Sequence, residues 1–74
     1  MKSEPVVYEI RVEDQLSEEW TDWFDGLSIC NERDLSVLTG PFVDQAALFG
    51  ALAKIQSLNL SLVSVNRLYR QTSL

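Results

Sequence analysis

Residues 35–59 (LSVLTGPFVDQAALFGALAKIQSLN) spell strand, break, capped helix and stop, and that order limits what the rest of the chain can build. Leu35, Val37 and Thr39 alternate with Ser36 and Leu38, the period of a half-buried strand. Gly40-Pro41 is read as its interruption, because proline has no N–H to give a ladder. Asp44 is the expected N-cap, its carboxylate placed to accept from the amides of Ala46 or Ala47, with Val43 and Leu48 as a hydrophobic staple. Leu48, Ala51, Leu52, Ile55 and Leu58 fall on one helical face, and Asn59 supplies the left-handed residue that ends the helix.

Upstream, Val6–Val12 alternates cleanly, with Val6, Tyr8, Ile10 and Val12 on one side and Val7, Glu9 and Arg11 on the other. Ser17 then caps an expected amphipathic helix with Glu18 and Glu19 in its first turn. Leu16, Trp20, Trp23, Phe24 and Leu27 make its inner stripe, and Gly26 stops it. Such a short helix needs packing to persist. Residues 27–31 read as a strand, residues 31–34 as a turn, and 60–68 as a last strand in which Leu60 and Leu62 compete with Val63 and Val65 for the inner face. Residues 1–5 and 69–74 are expected to be mobile tails of a single domain.

The predicted fold class is therefore α+β: a β-α-β-β-α-β ferredoxin-like two-layer sandwich, antiparallel sheet order 4-1-3-2, both helices on one face. Tyr8, Ile10, Val12, Trp20, Trp23, Phe24, Ile29, Val37, Leu48, Leu52 and Ile55 would form its core. The other sheet face stays open and would carry Val7, Glu9 and Arg11 from one central strand, Ser36 and Leu38 from the other, Ser28 and Cys30 from an edge, and alternate residues of the last strand. An apolar patch on so small a chain is usually covered.

At 74 residues a core is close to the size at which it is marginal alone. The chain has no histidine and one cysteine, which removes the commonest general base and metal ligand and any Cys–His dyad. No catalytic residue, metal site or cofactor is expected. Cys30 has no internal partner for a disulfide, which points to a reducing, cytoplasmic setting. The N-terminus MKSEP shows no secretory signal, and no apolar run is long enough to span a membrane. All 11 acidic residues lie within 1–44, whereas 45–74 holds Lys54, Arg67 and Arg70 and no acid. The net charge of −5 argues against nucleic acid or an anionic membrane as partner.

The outer side of the second helix, Ala46, Gly50, Ala53 and Ser57, is small where lysine and glutamate are usual. Glycine within a helix costs about 0.5–1 kcal/mol relative to alanine, so close approach by another chain is one reading and tolerance within the monomer the other. Phe49, on the flank of that helix, either covers the sheet edge or meets a partner. Candidate interface residues are thus Val7, Leu38, Ala46, Phe49, Gly50, Ala53 and Leu62. A candidate ligand loop is Gly40, Pro41 and Asp44, although a phosphate loop needs more glycines and a lysine.

The motifs W-x-D-W-F-D-G-L (Trp20 to Leu27), L-T-G-P (Leu38 to Pro41) and D-Q-A-A-L-x-G (Asp44 to Gly50) make the chain resemble a family of small bacterial proteins of unassigned function. K-I-x-x-L (Lys54 to Leu58) and Ser64-Val65 extend the likeness. The resemblance implies an independent α+β domain and no particular activity; relatives often carry histidine in place of Phe49 and proline near Ser61. The fold expectation is also similar to ACT-type regulatory domains, an analogy that transfers no site. Two functions follow as expectations: a non-enzymatic protein-interaction module acting as a homodimer, or an ACT-like sensor of an amino acid or nucleotide at a subunit interface.

Overall fold

The computed structural model describes residues 5–24 and 26–70, with Glu18 and Arg70 described by their backbone alone. Four strands, β1 (Val6–Val12), β2 (Ser28–Glu32), β3 (Leu35–Phe42) and β4 (Leu62–Arg70), form one antiparallel sheet in the order β2-β3-β1-β4. Among the described residues one α-helix, α1 (Gln45–Ser57), is present, and it connects β3 to β4.

The expected two-helix, ferredoxin-like sandwich of order 4-1-3-2 is corrected by the β1–β2 connection. Among the described residues it holds only a short 3-10 turn, Glu18–Thr21. The strand neighbours are the same pairs from either edge of the sheet; the layer above them has one helix where two were expected. Hydrogen bonds in the connection change spacing as it proceeds: Trp20 N–H donates to the Ser17 carbonyl, Phe24 N–H to Trp20, Gly26 N–H to Thr21 and Leu27 N–H to Phe24. No helix grows from such a ladder. Ser17 makes no side-chain cap bond. Trp20, Thr21, Trp23 and Phe24 are also weak helix formers. Gly26, at φ +85°, makes the final turn that a Cβ would resist.

The connection is held down by a serine. Ser36 on β3 is fully buried. Its Oγ accepts from the Leu16 N–H at 2.7 Å, and its one proton is shared between the Asp14 carbonyl and Asn31 Oδ1. These bonds draw the chain over the sheet so that Leu16, Phe24 and Leu27 bury on Ile10, Val12 and Leu38.

The register places Leu38 opposite both Ile10 and Ile29. Leu38, expected on the open face, is therefore in the core at 0% exposure. Val37, expected in the core, is opposite Arg11 and Cys30 and is buried at 5% outside the main cluster. The 3.6-residue stripe expected of the first helix fails with the helix. Trp20 still packs on the core, but Trp23 is 48% exposed. Gly40-Pro41 does not break β3, which runs on to Phe42. β2 starts opposite Thr39, so at Pro41 β3 has no neighbour on that side, a position where proline is tolerated. The hairpin turn is confined to Arg33 and Asp34, with Arg33 at φ 56°, so Asn31 and Glu32 belong to β2 and not to the turn. Tyr69, expected in a tail, ends β4 with Arg70, and residues 71–74 lie outside the described part.

Replacing Ser36 with alanine leaves the buried Leu16 N–H without its acceptor. Unfolding by urea should show a loss of about 1–3 kcal/mol; a change under about 0.5 kcal/mol, the range of an inconsequential surface substitution, would show that the hydroxyl does not hold the connection.

Candidate functional site

The start of α1 is fixed by Asp44, whose Oδ1 accepts from the Ala47 N–H at 2.8 Å. Its end is fixed by Asn59 at φ 59°, with the Asn59 N–H donating to Gln56 and the Leu60 N–H to Ile55, the paired bonds that close a helix through a left-handed residue. Leu48, Ala51 and Ile55 point into the core. With both ends and the inner side set, the flank that looks toward β4 is exposed. Phe49 stands out there at 61% exposure and Leu62 at 49%. Between them runs a groove of about 480 Å³ lined by Leu52, Ala53, Gln56 and Leu60 as well. None of its lining residues is charged.

β4 continues this surface along the edge of the sheet. Two bulges interrupt its pairing with β1, so that Leu62, Val65 and Arg67 stand opposite Val12, Ile10 and Tyr8. Val63 and Leu68 are the extra residues, and both are exposed, as is Tyr69. The bulges blunt β4 as a template for edge-to-edge pairing and leave these side chains exposed instead.

The open sheet face is of another kind. Arg11 Nε lies 3.0 Å from Glu9 Oε1 and its guanidinium 3.5 Å from Glu32 Oε1. The hydrogen bond to Glu9, ahead of the charge attraction, holds the Arg11 pKa above its usual value. Val7 is buried at 5% there, opposite Pro41 and Tyr69. The apolar patch expected on this face is thus an ion-paired surface.

Of the candidate interface residues, Ala46, Phe49, Gly50, Ala53 and Leu62 are exposed, and Phe49, Ala53 and Leu62 line one groove. Leu38 and Val7 are buried and take no part in it. The candidate ligand loop is occupied with structural duties. A Cβ on Gly40 would come within 2.5 Å of Leu27 Cδ2, so glycine is there to admit Leu27, and Asp44 is occupied by the cap. Pro41 lines a cleft of about 280 Å³ with Phe24, Phe42, Val43, Gly50 and Lys54. At its rim Lys54 Nζ donates to the Trp23 carbonyl at 2.9 Å and lies 5.7 Å from the centre of the Trp23 ring. Cys30 is free and exposed. Among the described residues no three His, Cys, Asp or Glu side chains group to hold a metal ion, and no helix is long and apolar enough to cross a membrane.

Val43 and Leu68 are exposed as well, and the sequence carries no signal for either.

A family model for a domain of unknown function, DUF8691, matches residues 7–66. The chain belongs to that family. The match begins within β1 and ends within β4, so it takes in α1, the groove and the Ser36 anchor. No curated protein and no solved structure matches the chain. The family description carries no activity, so the geometry of the DUF8691 domain is what speaks to its role.

Gly40→Ala should lower stability by about 1 kcal/mol, since the Leu27 Cδ2 must move to admit the added methyl. Combined with Leu27→Val, the loss should be smaller than the sum of the two single losses in thermal unfolding. Additive losses would mean that Gly40 serves something other than Leu27.

Proposed function

We propose that this DUF8691 domain is a non-enzymatic protein-interaction module that works as a homodimer. The observation that carries the reading is the uncharged groove of α1 and β4, with Phe49 exposed at its rim, on a chain whose acids all lie elsewhere. A large aromatic held in water beside an apolar groove is what an interface core presents before its partner arrives. The marginal size of the core supports the same reading, because a second subunit adds buried surface that a 74-residue chain cannot supply alone. The free Cys30 fits a reducing, cytoplasmic setting.

The ACT-like sensor has one feature in its favour, the cleft beside Pro41 and Lys54. It has less support, because Gly40 and Asp44 serve packing and capping and Lys54 is bonded to Trp23.

Sedimentation equilibrium of the intact chain at micromolar concentration should give twice the mass of 8.4 kDa. A mass of one chain under those conditions would contradict the proposal, and a thermal shift with one member of an amino-acid and nucleotide panel would favour the sensor instead.

A further inference from the structure

We draw no further inference here: the strongest candidate, the uncharged groove between α1 and β4 with Phe49 at its rim, belongs to the surface already described, and nothing in the structure shows what covers it.

Discussion

A buried hydroxyl in β3 decides how the first half of the chain is laid over the sheet. β1 and β2 run parallel with β3 between them, so the chain must cross β3 to pass from one to the other. Such crossings are usually made by a helix that carries its own hydrogen bonds. Here the backbone crosses as a series of unequal turns, and its polar groups need partners from outside the segment. Ser36 supplies them for Leu16 and Asp14. Fixed at that point, the chain can bury Leu16, Phe24 and Leu27 without a helix to space them, and Gly40 leaves the gap that Leu27 fills.

The consequence reaches the candidate interface. With only turns on one side of the layer, α1 is the one helix among the described residues, and its flank toward β4 has no neighbour on it. Phe49 and Leu62 are exposed for that reason. The open sheet face needs no cover of the same kind, because Arg11 and its two carboxylates give it a wet, charged surface. Exposed ion pairs of this sort add little to stability, but they make the face poor at burying another chain.

Much of this was legible in the residues, and the failures share a cause. The helix after Asp44 carried its cap, its buried stripe and its left-handed stop in the sequence, each a local signal. β1 was equally plain because its alternation has one parity. β3 and β4 were not, since both of their faces hold apolar residues: Val37 competes with Leu38, and Leu62 with Val63. In β3 the decision falls to Ser36, a polar residue whose burial is stabilised by partners more than 20 residues away in the chain (Asp14) or nearly so (Leu16). In β4 two bulges shift the parity partway along, which no fixed period detects. The first helix was expected from the spacing of Trp20, Trp23 and Phe24, but periodicity states which face would be buried if a helix forms, not whether it forms. Of the groove, Phe49, Ala53 and Leu62 are legible in the sequence; Leu38, read there as an open-face residue, lies in the core, and Val7 lies on the open face as read but is buried there.

The central claim is that the connection is anchored at Ser36, and hydrogen exchange of the Leu16 amide tests it most directly. An amide donated to a buried hydroxyl should exchange only as the sheet opens, with protection like that of Ile10 and Leu38 in β1 and β3. If Leu16 instead exchanges at the rate of an unprotected turn while those strands stay protected, the anchor is absent and the account of the fold built on it is wrong.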